Sequence, residues 1–289
     1  MINDHTVLIL GAGSSAQYGF PSGVQLKEWM VSQAQSNGMW SKPLKDISTP
    51  EELIEQFRRA ILASPDDSID AVLTRRPGLG PLGRFMIARR IAECEREQNI
   101  FPPKGWYRDL FHILRLDDAA TKPPSLTVVT FNYDRSFEYY FWHTIETVLE
   151  GKGKDIAKYK MEHIRIIHVH GSLGDIHQVP FGLGGDLAGV ENVFDNIRVV
   201  SDSSLDKSPD FFQVQETMHL SQRIVFIGFG FDPTNVRRLR LDGLMGKVPI
   251  MASSYRLSRL DSLREQYGDG ITFFNLKADG MIKEIQKVI

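Results

Sequence analysis

Gly11, Gly13 and Ala16 follow directly on the apolar run Thr6 to Leu10, in the stretch GAGSSAQYGFPSG over residues 11–23. Glycines at this G-x-G-x-x-A spacing let the chain turn sharply at a strand end and bring its backbone against a pyrophosphate. The helix that follows then offers unpaired N–H groups and the positive end of its dipole. The chemistry open to such a turn is the holding of a dinucleotide; a plain strand-to-helix turn packed by small residues fits the same pattern. Hydride transfer requires more, namely a second strand ending in Asp or Glu about 20 residues on, to hold the adenine ribose. Here the interval reads VQLKEWMVSQAQ, a helical pattern, and no strand there ends in an acid.

Three later clusters carry the remaining candidate chemistry. TFNYD holds Asn132 and Asp134, HVHGS holds His168 and His170, and IGFGF holds Gly228, Phe229 and Gly230. Asn132 fits a ligand-facing position or the cap of a helix beginning near Asp134. His170 fits a cavity-facing position or a core histidine at a strand end. His168 and His170, two apart on a strand, share a face and could ligate a metal, but no acid-and-histidine set of matching spacing completes such a site. The aromatic run from Tyr133 to Trp142 reads as core packing. The pairs Arg58-Arg59, Arg75-Arg76 and Arg89-Arg90 are interleaved with acids and read as solvated helical surface.

The elements that must position these residues are legible in outline. Thr6 to Leu10 reads as a strand entering the glycine turn, and Leu26, Trp29 and Met30 follow at helical spacing. From Thr49 to Asp118 the pattern is helical, divided by breakers at Pro77-Gly78, Pro81 and Pro102-Pro103, and ended by Pro123-Pro124. After it come SLTVVTFNYD, IRIIHVHGSLG, RIVFIGFGFDPTN and VPIMASSYRLS, then ITFFN and a final helix from Met281 to Ile289. Continuously apolar runs suit central parallel strands buried on both faces. Helical patterns lie between some of them, DRSFEYYFWHTIETVL and SRLDSLREQYG most clearly. The expected fold is α/β, a Rossmann-like doubly wound parallel sheet with a helical insertion. The expected division is a nucleotide-binding core over 1–45 and 119–289 and a helical insertion subdomain over 46–118. A tract from Gly171 to Gln215 lacks periodicity and is long for a plain loop. In an open parallel sheet the ligand crevice lies beyond the carboxyl ends of the strands, where all four clusters fall, so they are expected to converge.

Composition narrows the classes. A length of 289 residues allows one large domain or a core with an insertion. A formal charge of -2 gives no long-range attraction to nucleic acid, so direct nucleic-acid binding is not expected. Cys94 is the single cysteine, which excludes an intramolecular disulfide framework and any multi-thiolate zinc site. The chain has no apolar stretch of membrane-spanning length, and the run after Asp4 is too short for a signal h-region. A cytoplasmic protein without a membrane partner is the expectation.

Taken in order, the four clusters resemble the sirtuin (silent information regulator) family, and most of all its bacterial NAD hydrolases of antiphage defence. The resemblance covers about residues 5–23 and 125–289. It implies NAD as substrate and no metal cofactor. By it, Gly11, Ala12, Gly13, Ser14, Ser15, Gly19, Pro21 and Ser22 would form the first NAD loop, with Ser14, Ser15 and the Gly13 backbone at the phosphates. Asn132 would lie near the ribose and a reacting water, Asp134 would help hold the carboxamide, and His170 would contact ribose hydroxyls and act as base. Gly228, Phe229 and Gly230 match the late glycine-containing loop, with Ser253 and Asn275 near the adenosine end.

Two departures from the protein-deacylating branch point to the reaction. That branch carries a four-cysteine zinc module after its His-Gly motif, and here no cysteine follows Cys94. Its first loop continues Pro-Asp-Phe-Arg, whereas this one reads Pro21-Ser22-Gly23. Without the aromatic shield, water is the expected acceptor and ADP-ribose and nicotinamide the products. Two readings stay open beside the hydrolase: a catalytically silent module sensing NAD or ADP-ribose, and a transferase of ADP-ribosyl or acyl groups. Unrestrained NAD cleavage would harm its own cell. The length leaves no room for a second large domain, so gating is expected from homo-oligomerisation or a regulatory partner protein that senses infection, acting through the insertion or the 171–215 tract.

Overall fold

A computed structural model describes residues 5–35, 50–65, 68–120, 125–149, 153–184, 193–198 and 209–287. The expected boundary at 45/46 and residues 185–192 and 199–208 of the 171–215 tract lie outside them.

Six strands, β1 (Thr6–Leu10), β2 (Leu126–Thr130), β3 (Ile164–His168), β4 (Arg223–Ile227), β5 (Ile250–Ser253) and β6 (Thr272–Phe274), form one sheet. All neighbours are parallel and the order is β3-β2-β1-β4-β5-β6. This is the Rossmann-like doubly wound order, with its reversal between β1 and β4. The central strands β1 and β2 are buried at every residue, as their uninterrupted apolar runs require. The outer β3 exposes Arg165.

Because side chains alternate across a strand, each strand feeds two cores. Leu8 and Leu10 of β1, Val128 of β2 and Val225 of β4 face one layer, while Val7, Ile9, Val129 and Phe226 face the other. The first layer is built from helices α1 (Gly23–Gln35), α2 (Glu51–Leu62), α3 (Ile69–Arg75), α4 (Gly80–Cys94), α5 (Trp106–Ile113) and α6 (Ser136–Val148), with α7 (Gly153–His163) behind α6. The second is built from α8 (Pro209–His219), α9 (Pro233–Leu239) and α10 (Leu260–Tyr267). The last helix, α11 (Ala278–Lys287), packs on the first side against α5.

The helices of 51–113 contain no strand among the described residues, and their apolar faces share one contiguous core with the sheet. Trp106 and Tyr107 are almost wholly buried there, and Tyr107 stacks on Tyr18 at 4.0 Å between ring centroids. α8 begins inside the tract that lacks sequence periodicity. Its inner face, Phe211, Val214, Thr217 and Met218, includes a threonine, and its outer surface carries the exposed Phe212, which blurs the helical pattern. No helix among the described residues is long and apolar enough to cross a membrane. The arginine pairs at 58–59 and 89–90 are bonded to Glu55 and Glu93.

Candidate functional site

The site is assembled where β1, β2, β3 and β4 end. β1 runs straight into Gly11, and the late loop after β4 closes on it. Gly11 N–H donates to Ile227 O at 3.0 Å and Gly13 N–H to Gly228 O at 3.0 Å. A Cβ on Gly11 would lie 2.5 Å from Gly228 O, and one on Gly228, whose φ is +61°, would lie 2.1 Å from Ser14 N. The two loops therefore touch backbone to backbone, which only glycine at both positions permits. Ser253, ending β5, accepts from Gly228 N–H at 2.8 Å and fixes the late loop from below.

Asn132 follows β2 and reaches across to the first turn. Its Nδ2 donates to Gly11 O (3.1 Å) and lies 3.2 Å from Ser14 Oγ and 3.3 Å from Ser15 Oγ. Ser14 Oγ itself donates to Gly11 O at 2.8 Å. Asn132 therefore braces the turn, and Asp134, just before α6, accepts the Ser136 N–H at 3.1 Å and the Ser136 hydroxyl. Ser136 Oγ in turn pairs with the Tyr107 hydroxyl at 2.7 Å, so a buried polar chain joins Asp134 to α5. Burial pushes the Asp134 carboxyl up, against the bonds from Ser136 and Ser15 that favour its charge.

Helix α5 also grips the first turn. Trp106 Nε1–H donates to Ser14 O at 2.7 Å, and Tyr107 N–H donates to the Tyr18 hydroxyl at 2.9 Å.

His168 and His170, though two residues apart, occupy different surroundings. His168 lies 2.5 Å from Glu138 Oε1 of α6 and 3.2 Å from Asn132 O. Burial opposes its charging, but the Glu138 carboxylate and the Asn132 carbonyl outweigh it, and its pKa is raised. This pair borders a groove of about 1110 Å³ lined also by Trp142, Asp175 and His177. His170 is 2% exposed and sits among the rings of Phe131 (5.4 Å), Tyr133 (6.2 Å) and Phe211 (6.4 Å). Neither of its nitrogens has a hydrogen-bond partner among the described residues. Burial pushes its pKa down, which favours the neutral imidazole. A metal ligated by both histidines does not fit this divergence. Asn132 Oδ1 and Asn235 Oδ1 are likewise buried without a partner among the described residues.

The other sequence-expected residues divide. Ser15, Phe229 and Ser253 are buried around the junction of the two loops. Ala12 is half-buried, and Gly13 and Gly230 reach the surface there. Gly19, Pro21 and Ser22 lie on the link to α1, where Ser22 and Gln25 bond reciprocally as a capping box. Asn275 is exposed just beyond β6, whose Phe274 pairs with Ser253.

Sequence reasoning passed over Arg135, which is fully buried and grips Glu95 of the α4 end through two bonds of 2.8 and 2.6 Å. It also donates to Gly174 O, Val179 O and Pro180 O, tying the segment after His170 to the same post. Burial raises the Glu95 carboxyl and the Arg135 bonds oppose it. Its place inside the NYDR stretch was the only available signal.

Residues 126–244 match the family model of the SIR2-like domain. No curated protein gives a match. Among solved structures, a Sir2 homologue mutant in complex with ADP-ribose is 14% identical, with 98% of this chain and 90% of that one covered and a TM-score of 0.42. A Sir2 homologue–NAD complex is 16% identical over 98% and 88% of the two chains, with a TM-score of 0.40. The SIR2-like match spans Asn132, Asp134, His170 and the Gly228–Gly230 loop, and the first turn lies before it.

Proposed function

We propose that this protein is an NAD glycohydrolase that cleaves NAD to nicotinamide and ADP-ribose. The observation that carries the reading is that Asn132 and His170 border one strand-end cluster. Asn132 bonds the glycine turn, and His170 lies against the rings of the residues flanking Asn132, with its nitrogens unpartnered among the described residues. Buried polar atoms without partners are rare in folded proteins, and a catalytic role is one physical reason for keeping one.

In the proposed reaction the bond between nicotinamide and ribose breaks, and its electron pair leaves with the ring, which becomes neutral nicotinamide. No general acid is required for this departure. The ribose carbon becomes cation-like, a water oxygen bonds to it, and the water proton passes to a base. The neutral His170 is suited to that role, Asn132 to orienting ribose and water, and Asp134 to the carboxamide end. The exposed faces of Ala12, Gly13 and Gly230 are where the pyrophosphate would approach, with Ser14, Ser15, Gly19, Pro21 and Ser22 completing the first loop and Ser253 and Asn275 toward the adenosine. No resident metal is part of this reading.

The constellation is deeply buried: Asn132 is 8%, Asp134 6% and His170 2% exposed. That sealing favours a gated enzyme and keeps the silent sensor as a second reading. We read the gate as homo-oligomerisation or a regulatory partner acting on the insertion subdomain 46–118 or the 171–215 tract, and the setting as antiphage defence in the cytoplasm. Nicotinamide release by wild type, Asn132→Ala and His170→Ala, paired with calorimetric NAD binding, tests this. Turnover by the wild type alone supports the hydrolase. Binding without turnover under every activating condition supports the sensor, and no binding at all removes both.

A further inference from the structure

Asp70 lies in the first turn of α3, outside every motif that points to the site. Its Oδ1 accepts the Tyr133 hydroxyl at 2.7 Å, and the Tyr133 ring lies 6.2 Å from that of His170. At the start of α3 Ser68 Oγ accepts the Asp70 N–H at 3.1 Å and donates to Asp70 Oδ2 at 3.3 Å, which leaves Oδ1 to the Tyr133 hydroxyl. The carboxylate is thus turned toward Tyr133, the residue between Asn132 and Asp134.

We propose that Asp70, carried to the site by the inserted helix and held by the Tyr133 hydroxyl, is a positioning residue for His170. It locks the aromatic wall against which the imidazole rests and faces it with a negative charge. The proposal rests on reading His170 as the base.

When a base buried among Phe131, Tyr133 and Phe211 takes up a proton, it becomes a cation with little water to solvate it, and a nearby carboxylate lowers that cost. The groups that act on His170 divide by sign. Asp70 of α3, the Asn235 carboxamide and Asp232 at the start of α9 favour the imidazolium, and Arg238 of α9 opposes it. Asp70 is the strongest of the charges that favour it. From α8 the ring meets Phe211, and from β2 Phe131, neither of which carries charge. An insertion that supplies this carboxylate also gives any partner bound to it a direct means of altering the base.

Titration of the histidine ring protons in the full-length protein by NMR tests this without requiring turnover, with the His170 signal identified by its loss in His170→Ala. Asp70→Asn is expected to move the His170 midpoint to lower pH by about 1 unit. Tyr133→Phe, which keeps the ring and frees the carboxylate, is expected to move it the same way by less, and Asp70→Glu to restore part of the shift. The acid limb of kcat/KM for nicotinamide release should follow the midpoint, while KM for NAD changes less than twofold. A midpoint unmoved in both Asp70→Asn and Tyr133→Phe overturns the proposal, as does an imidazole that stays neutral in the wild type down to acid unfolding. If the midpoint moves but no variant or wild type releases nicotinamide, the positioning role stands and the hydrolase reading falls.

Discussion

Arg135 and His170 are both buried within the same strand-end cluster, yet their surroundings are opposite. Arg135 has Glu95 and three main-chain carbonyls as acceptors, so its charge is fully paired. His170 has aromatic rings on several sides and no hydrogen-bond partner among the described residues. A buried charge with every bond made is held as architecture, whereas a buried imidazole without hydrogen bonds among the described residues costs stability, and under the proposed function its nitrogens serve the reaction.

Substitution should separate the two most sharply. His170→Leu is expected to lower nicotinamide release by about 10²–10⁴-fold, the contribution of a general base, without lowering the melting temperature. Arg135→Met should instead leave the buried Glu95 carboxylate without its cation and cost about 3–5 kcal/mol in denaturant unfolding. Pairing it with Glu95→Leu should recover much of that loss, since replacing both partners removes the uncompensated charge. If His170→Leu destabilised the fold as much as Arg135→Met, the distinction drawn between them would collapse.

Smaller effects sharpen the comparison. Trp106→Phe removes the bond to Ser14 O and should cost about 1–2 kcal/mol while loosening the first turn, measurable as a weaker NAD affinity. The two histidines of HVHGS should give opposite pH dependences of stability. His168, with its raised pKa, adds stability that is full below the unfolded value of about 6.5 and is lost as pH rises through the folded one. His170, with its lowered pKa, costs stability as pH falls below about 6.5, because the unfolded chain then binds the proton more readily. Melting curves of His168→Gln and His170→Leu between pH 5 and 8 (roughly the window in which an imidazole titrates) should therefore change slope in opposite directions.

The sheet was legible because buried parallel strands carry unbroken apolar runs, and IVFI and TVVT could hardly lie elsewhere. α7 was harder to read, since its buried face presents Lys160, whose ammonium donates to Asp118 O at 2.7 Å and so disguises an inward position as an outward one. Strand-end placement brought Asn132, Asp134 and His170 to one edge, but sequence spacing says nothing about which way an amide points. That the Asn132 amide braces Gly11, and that Asp70 arrives from about 60 residues upstream to meet Tyr133, depends on tertiary packing that no local pattern encodes. The arginine node was hidden for the same reason, because an Arg in a loop reads as solvated until its acceptors are known.

The most direct measurement is the balance of products when NAD is turned over by the activated protein. Equal amounts of free nicotinamide and free ADP-ribose, both abolished in His170→Ala, are the expected result. Nicotinamide released in excess of free ADP-ribose, with the missing sugar found attached to protein side chains, would contradict water as the acceptor.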